Sequence, residues 1–193
     1  MSPATAPATT DRRDAILGAA IAVFARYGFK KTSVDDIARA AGISKQGLYL
    51  HFPSKEEVFV AGLKKYLTEN HAAMERELFR ERAPLFDRLV AAFDAWFGEY
   101  IETFSSVNTD IIEAGHRLSG AMMDEYKALF RVSLTRALTE SAEFRRAKNV
   151  CSPKEIADVL LRLVESWKGE RMPRSEFKKK IALAVRACVQ IDG

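Results

Sequence analysis

Residues 33–55 read SVDDIARAAGISKQGLYLHFPSK, and this stretch decides the fold. Ser33 followed three residues later by Asp36 is typical of a helix start, and Gly42 provides a residue that adopts the left-handed conformation that ends a helix. Ser44 then begins a second short helix. The pattern therefore predicts two short helices joined by a turn that contains glycine, which is a helix-turn-helix.

The second of these helices carries side chains that suit a DNA surface. Lys45 can donate to guanine O6 and N7, Gln46 can pair with base edges, and Gly47 permits a close approach of the backbone. Tyr49 and His51 offer hydroxyl and ring donors for phosphate groups. We interpret the stretch as a DNA-binding head.

Each of these assignments has a structural alternative. Tyr49 also suits a half-buried core position, His51 a helix cap, and Lys45 a solvated charge. Leu48 and Phe52, in contrast, are predicted to be core residues, because their spacing places them on the side that faces the preceding helix.

The excess positive charge is concentrated in the head. The net charge is +4, and Met1 to Lys55 contains eight Lys and Arg against four Asp and Glu, so residues 56–193 balance to zero. A basic excess in one segment is the electrostatic pattern expected for DNA binding, although a solubility feature would look the same.

Several other classes of protein find little support. Cys151 and Cys188 are too few for a disulfide framework or a metal site, and no apolar run has the length of a membrane span. The N-terminal run lacks the basic and apolar regions of a signal peptide. We expect a cytoplasmic protein with no cofactor, no metal and no membrane partner.

Helical spacing of apolar residues recurs along most of the chain and predicts an all-α protein with nine helices. The segment from Glu143 to Val150 is polar and basic, so a loop or a frayed helix end is expected there. The predicted helices cover residues 11–28, 33–41, 44–52, 54–82, 84–104, 109–118, 120–140, 153–167 and 174–189.

One ordered set of residues resembles the TetR family of one-component bacterial transcription regulators. The set comprises Ile16-Leu17, Ala19-Ala20, Phe24, Tyr27-Gly28, Thr32 to Ala38, Ala41 to Ser44, Leu48-Tyr49, His51-Phe52 and Lys55 to Glu57. The rest of the chain resembles that family only in length and layout.

The resemblance implies a homodimer whose heads place their third helices in the major groove of a palindromic operator in double-stranded DNA. Residues 1–10 would form a disordered arm, 11–55 the DNA-binding domain, and 56–193 a domain that binds an effector and dimerises. By position, the implied phosphate contacts are Thr32, Ser33, Tyr49, His51 and Lys55, and the implied base-facing residues are Lys45, Gln46 and Gly47.

The second domain has a stripe of aromatic and methionine residues on its predicted helices 84–104 and 120–140. The resemblance implies that an effector binds among these helices. An ordinary helical core would show the same stripe. Asn108 is a further polar residue in this region. The candidate ligand residues are Phe93, Trp96, Phe97, Tyr100, Glu113, His116, Met123, Tyr126 and Phe130. Aromatic lining favours a small hydrophobic or aromatic effector: a drug, a fatty acid or acyl derivative, and a hydrophobic metabolite all fit.

The resemblance also assigns dimerisation to the last two helices. The predicted interface residues are Ile156, Leu160, Leu163, Val164, Trp167, Ile181, Val185 and Cys188. The implied mechanism is that of a repressor: the effector moves the fourth helix, changes the separation of the two heads and releases the operator.

Three rival functions remain open at this stage. An enzyme lacks support, because the chain contains three histidines, no nucleophile signature and no glycine-rich phosphate loop. A helical interaction protein could use the helix-turn-helix for packing alone. A DNA-binding regulator could also depend on a corepressor, or on oxidation of Cys151 or Cys188.

Overall fold

The computed structural model describes residues 9–98, 100–101, 109–167, 170 and 172–190. All regular secondary structure in these ranges is helical, which confirms the all-α prediction. The helices are α1 Thr9–Tyr27, α2 Val34–Ala40, α3 Lys45–His51, α4 Lys55–Leu78, α5 Leu85–Phe93, α6 Thr109–Glu140, α7 Ala142–Arg146, α8 Pro153–Ser166 and α9 Arg174–Cys188. None of the described helices combines the length and the apolar character needed to cross a bilayer.

The helices divide into two compact units. The head unit contains Met1–Tyr66 together with Val107–Gly120, and the body unit contains Leu67–Ser106 and Ala121–Gly193. The chain passes from one unit to the other inside α4 and again inside α6. The first division therefore falls within α4, after Tyr66. The domain boundary predicted from the sequence lies at residue 55. The predicted arm over residues 1–10 lies outside the described residues except for Thr9 and Thr10, which belong to α1.

The head unit is built on α1, which supports the two short helices. The aromatic centre of its core consists of Phe24, Phe29 and Phe59, whose ring centroids lie 5.0–5.7 Å apart. Ile37 and Leu48 pack into the same core with at most 1% of their surface exposed. The short helices α2 and α3 are thus held by buried side chains, since isolated helices of seven residues are unstable in water.

The body unit encloses a larger apolar core to which α4 to α9 all contribute. Its helix α8 begins as predicted, with Ser152 accepting from the N–H of Glu155, Glu155 accepting in return, and Pro153 at the first helical position. The segment after Glu140, predicted to be a loop or a frayed helix end, is instead the short helix α7. Ser141 caps that helix and Phe144 is buried, so a single apolar anchor suffices where periodicity has too few residues to show.

Two further boundaries differ in detail from the predictions. The expected break between Leu118 and Gly120 is a kink in α6, where Ser119 has non-helical angles of φ −148° and ψ 23°. Helix α5 continues into five π-helical residues, Asp94–Gly98. Phe104 and Asn108, assigned to this region from the sequence, lie outside the described residues.

Candidate nucleic-acid interface

A reciprocal pair of hydrogen bonds fixes the start of α2. The Ser33 hydroxyl oxygen accepts from the N–H of Asp36 at 3.1 Å, and the Asp36 carboxylate accepts from the N–H of Ser33 at 3.0 Å. The hydrogen bond from the Ser33 hydroxyl is the main cause that lowers the pKa of Asp36, and the bond from the Ser33 backbone N–H lowers it further. The predicted helix start is therefore a capping box, and the Ser33 hydroxyl is engaged in it.

The turn between α2 and α3 is fixed by the backbone. Gly42 has φ +65°, a conformation that a residue with a side chain rarely adopts. The N–H of Ile43 donates to the carbonyl of Ala38 at 3.0 Å, and the Ser44 hydroxyl accepts from the N–H of Gly47 at 3.0 Å. These bonds end α2 at Ala40 and begin α3 at Lys45, with four residues between them, so the orientation of α3 follows from local geometry.

Helix α3 is anchored on its inner side. Leu48 and Phe52 are each 1% exposed, which confirms both as core residues. The guanidinium of Arg13 lies 4.1 Å from the centre of the Phe52 ring, and Arg13 Nη1 donates to the carbonyl of His51 at 2.9 Å. Arg13 therefore ties the C-terminal end of α3 to α1, a role that the sequence did not reveal.

The outer side of α3 presents the predicted base-reading residues to solvent. Lys45 and Gln46 are exposed, and Tyr49 keeps 45% of its surface in contact with solvent. Leu50 is 86% exposed on the same outer side. Sequence reasoning missed Leu50, although its position two residues after the buried Leu48 places it on the opposite face of a helix.

Lys45 is paired within the head. Its ammonium group lies 2.9 Å from the carboxylate of Asp35, and this hydrogen bond raises the pKa of Lys45. Both side chains are about half exposed, with 51% and 55% of their surface in contact with solvent. Solvent-exposed ion pairs contribute little free energy, so the pair can be exchanged for a contact with DNA.

Two of the predicted phosphate contacts, Thr32 and Lys55, have structural roles in the free protein. Thr32 is 2% exposed, and its hydroxyl donates to the carbonyl of Gly28 at 2.6 Å. The ammonium of Lys55 donates to the carbonyls of Phe29 and Thr32, each at 3.0 Å, and lies 4.5 Å from the centre of the Phe29 ring. Both side chains brace the turn between α1 and α2 in the free protein, and their assignment as phosphate contacts stays a prediction.

The remaining contact candidates, Ser33, Gly47 and His51, lie at the rim of this surface. Ser33 is exposed, while Gly47 and His51 are partly exposed. A second group of basic side chains, Arg26, Lys31 and Arg39, lines a groove of about 500 Å³ between α1 and α2. The head thus carries exposed cations on more than one side.

The N-terminal third of the chain matches a family model described as "Bacterial regulatory proteins, tetR family" over residues 16–61, which includes the whole helix-turn-helix. The regulator RutR of Escherichia coli strain K12 is 36% identical over 126 residues, which cover 61% of this chain and 54% of RutR. The helix-turn-helix region of this chain therefore matches the TetR family.

Two other TetR-family proteins extend the comparison. The repressor KstR2 of Mycolicibacterium smegmatis is 37% identical over 97 residues, which cover 50% of this chain and 47% of KstR2. The chain thus spans about half the length of these curated relatives. The crystal structure of reduced NemR from E. coli matches with a TM-score of 0.70 at 20% identity, covering 95% of this chain and all of NemR. That likeness supports the TetR fold.

Two of the predicted effector residues belong to the head unit. Glu113 is exposed and accepts from the ammonium of Lys30 at 3.2 Å, while the backbone N–H of Lys30 donates to Asp110 at 2.8 Å. His116 is exposed as well. Glu113 therefore ties the start of α6 to the residues after α1. Glu113 and His116 thus belong to the head unit, whereas the aromatic candidates belong to the body unit.

The aromatic candidates form one connected cluster in the body unit. Phe93, Trp96, Phe97 and Phe130 are at most 7% exposed, and Trp96 lies 5.4 Å from Phe130 between ring centroids. Tyr126 extends the cluster at 6.4 Å from Trp96. Tyr100 and Met123 are partly buried, and burial raises the pKa of Tyr100.

A histidine that the sequence did not single out lies at the edge of this cluster. The ring centroid of His71 is 6.1 Å from that of Trp96 and 6.2 Å from that of Tyr126. Its Nε2 atom is buried and has no hydrogen-bond partner among the described residues. A buried polar atom without a partner destabilises the free protein, so His71 marks a position where a ligand atom would be stabilised.

Most of the predicted dimer residues lie inside the body unit of the single protomer. Five of them, each at most 2% exposed, pack inside the core of their own protomer: Ile156, Leu160, Val164, Ile181 and Val185. Trp167 and Cys188 are partly buried. Exposed apolar side chains on α8 and α9 are Val159 at 47%, Leu163 at 37% and Leu183 at 70%.

Proposed function

We propose that this chain is a transcriptional regulator that binds a palindromic operator in double-stranded DNA as a homodimer. The observation that supports this most directly is the outer side of α3, where Lys45, Gln46 and Tyr49 face solvent on a helix whose inner side is fixed by buried residues. RutR and KstR2 bear the names of a transcriptional regulator and a transcriptional repressor. We propose a cytoplasmic location and a regulatory function without an enzymatic reaction.

Each exposed residue of α3 has a chemical partner in a major groove. Lys45 and Gln46 lie in the first turn of α3, where they can donate to guanine and pair with adenine, and Leu50 suits the methyl group of thymine. Tyr49 and His51 carry donors for phosphate oxygens, which set register without reading sequence. Specificity then rests on few side chains, and we expect operator recognition to be sensitive to each of them.

The homodimer is proposed to form through the outward faces of α8 and α9. Val159, Leu163 and Leu183 are exposed in the protomer, and burial of apolar surface drives most protein association. This choice replaces the buried residues that periodicity suggested. A two-fold dimer would present two copies of α3 to two half-sites of DNA.

The effector is proposed to be a small hydrophobic or aromatic molecule that binds beside Trp96 and Tyr126 in the body unit. The aromatic rings supply apolar contact, and the buried Nε2 atom of His71 supplies a polar contact that orients the molecule. An effector that pairs with His71 would have a hydroxyl, amine or carbonyl group close to its apolar part.

Release of the operator by this effector is proposed to be transmitted along α4 and α6, the two helices in which the chain passes between the units. The start of α6 is tied to the residues after α1 through Asp110, Glu113 and Lys30. The kink at Ser119 lies next to the passage from head to body in α6. An effector that favours one geometry of these helices would change the separation of the two α3 helices and lower operator affinity.

Selection of bound sequences from random duplex DNA tests the proposal. We expect the purified protein to enrich a palindrome, with an affinity that falls as the salt concentration rises. Lys45→Ala should weaken binding to this palindrome by at least about tenfold, because a base contact is lost.

Lys154→Ala is the matched control. Lys154 is also an exposed lysine in the first turn of a helix, but in the body unit, so its loss should leave operator affinity unchanged. Absence of any enriched sequence, with and without added aromatic compounds, would contradict the proposal and favour a helical interaction protein.

A further inference from the structure

The two cysteines lie at the same end of the α8–α9 pair. Helix α8 begins at Pro153, two residues after Cys151, and α9 ends at Cys188. The two helices pack against each other and are joined by a short connection, so they run in opposite directions. The start of α8 and the end of α9 are therefore neighbours.

A side-chain clamp sets the register of the two chain segments outside these helices. Asn149 Nδ2 donates to the carbonyl of Gln190 at 3.2 Å, and Asn149 Oδ1 accepts from the backbone N–H of Gln190 at 2.8 Å. Asn149 and Gln190 are therefore opposite each other on two segments that run in opposite directions. Cys151 is two residues after Asn149, and Cys188 is two residues before Gln190. The two cysteines therefore lie opposite each other as well.

The environments of the two thiols differ in a useful way. Cys151 is exposed, while Cys188 is half-buried against the body core. Burial, and then the neighbouring thiol of Cys151, raises the pKa of Cys188, which agrees with the proximity that the clamp imposes. An exposed thiol beside a protected one is the arrangement in which the first reacts with an oxidant and the second resolves the product.

We propose that Cys151 and Cys188 are a modification site that a hydroperoxide converts into a disulfide across the α8–α9 pair. The Cys151 thiolate attacks one oxygen of hydrogen peroxide, so its sulfur is oxidised to sulfenic acid while the peroxide is reduced to water. The Cys188 thiolate then attacks the Cys151 sulfur, forms the S–S bond and displaces hydroxide, which takes up a proton to give a second water.

The disulfide would join the two ends of the segment that carries Val159, Leu163 and Leu183. Closing this loop restricts the unfolded chain, so the oxidised body should unfold at a higher temperature than the reduced body. The site goes beyond DNA binding and does not depend on it.

Treatment of the reduced full-length protein with hydrogen peroxide tests the site. We expect both thiols to be lost together, the intact mass to fall by two hydrogen atoms, and proteolysis to release one peptide pair that links Cys151 to Cys188 within a protomer. Cys151→Ser and Cys188→Ser should each abolish the link. Asn149→Ala should slow its formation severalfold without changing the reactivity of Cys151 towards a small alkylating reagent.

Two results would overturn the inference. One is oxidation of Cys151 to sulfinic or sulfonic acid while Cys188 stays a free thiol. The other is a disulfide between two copies of Cys151, visible as a dimer on a non-reducing gel. Since no step uses DNA, a failure here leaves operator binding untouched, and a failure of operator binding leaves this site untouched.

Discussion

The head and body units place their predicted contact residues in opposite ways. On α3 of the head, Lys45, Gln46 and Tyr49 face solvent, as a surface that binds DNA requires. On α8 of the body, Ile156 and Leu160, predicted to contact a partner, pack inside their own protomer. The head residues were found through polar side chains at defined positions of a motif, and the body residues through apolar periodicity.

Apolar periodicity shows which face of a helix avoids water but not what covers that face. The stripe that contains Leu160 and Val164 is covered by the core of the same body unit. Apolar residues outside the stripe, such as Leu183, are the ones left for association with another molecule. A predicted interface made of the most regular apolar stripe therefore identifies the core first.

The largest expected effect comes from Leu160→Ala, which tests whether this residue is core or interface. Leu160 is fully buried, so the substitution should lower the free energy of unfolding by about 3 kcal/mol through the cavity that it creates. Urea unfolding followed by circular dichroism measures this change. Leu183→Ala is the control, because Leu183 is 70% exposed and its truncation should cost far less. An equal decrease in the free energy of unfolding for both variants would show that Leu160 is no more part of the core than Leu183.

Charges on the outer faces of α8 and α9 should break the dimer while the protomer stays folded. The double substitution Val159→Asp and Leu183→Asp should weaken dimerisation by at least about 100-fold, or about 2.7 kcal/mol, because charges would be buried in an apolar interface. Analytical ultracentrifugation over a range of concentrations measures this. A helical, thermally stable protein that sediments as a monomer is the expected outcome. An unchanged dimer would show that the outer faces of α8 and α9 do not form the interface.

Lys55→Met tests whether the head uses this lysine as a brace or as a phosphate contact. Loss of the bonds to the carbonyls of Phe29 and Thr32 should lower the free energy of unfolding by about 2 kcal/mol. The logarithm of operator affinity, plotted against the logarithm of the salt concentration, should have the same slope as for the unmodified protein. A slope lower by about one would instead show that Lys55 neutralises a phosphate.

The smallest expected effects concern the two capping boxes, Ser33 with Asp36 in the head and Ser152 with Glu155 in the body. Hydrogen bonds from these serines lower the pKa of Asp36 and of Glu155. A depressed folded-state pKa contributes stability above the ordinary values of 3.8 and 4.5, and that stability is lost as the pH falls through the folded-state values.

Asp36→Asn should therefore reduce the acid sensitivity of the head, and Glu155→Gln that of the body. Hydrogen exchange of amides in α2 and α8, followed as the pH falls below the ordinary carboxyl values of 4.5 and 3.8, separates the two units. We expect each substitution to change the exchange protection of amides only in the unit that carries it. A change of equal size in both units would show that they unfold together.

Local patterns were enough to predict much of the head. Ser33, Gly42 and Ser44 determine where α2 ends and α3 begins, because caps and left-handed turns depend on a few consecutive residues. The core positions of Leu48 and Phe52 followed from the same spacing. In the body, Ser152 and Pro153 predicted the start of α8 for the same reason. Short helix α7 was missed because it has one buried anchor, Phe144, and too few turns for a period.

What these side chains contact was decided by the tertiary structure. Lys55 reaches Phe29 across 26 positions of sequence, and Lys30 reaches Glu113 across 83. His71 meets Trp96 and Tyr126 through three different helices. The sequence by itself determined the helices, their caps and the motif, since these depend on neighbours along the chain. Burial of Leu160 and the pairing of distant side chains depend on which helices pack together, and a local pattern does not contain that information.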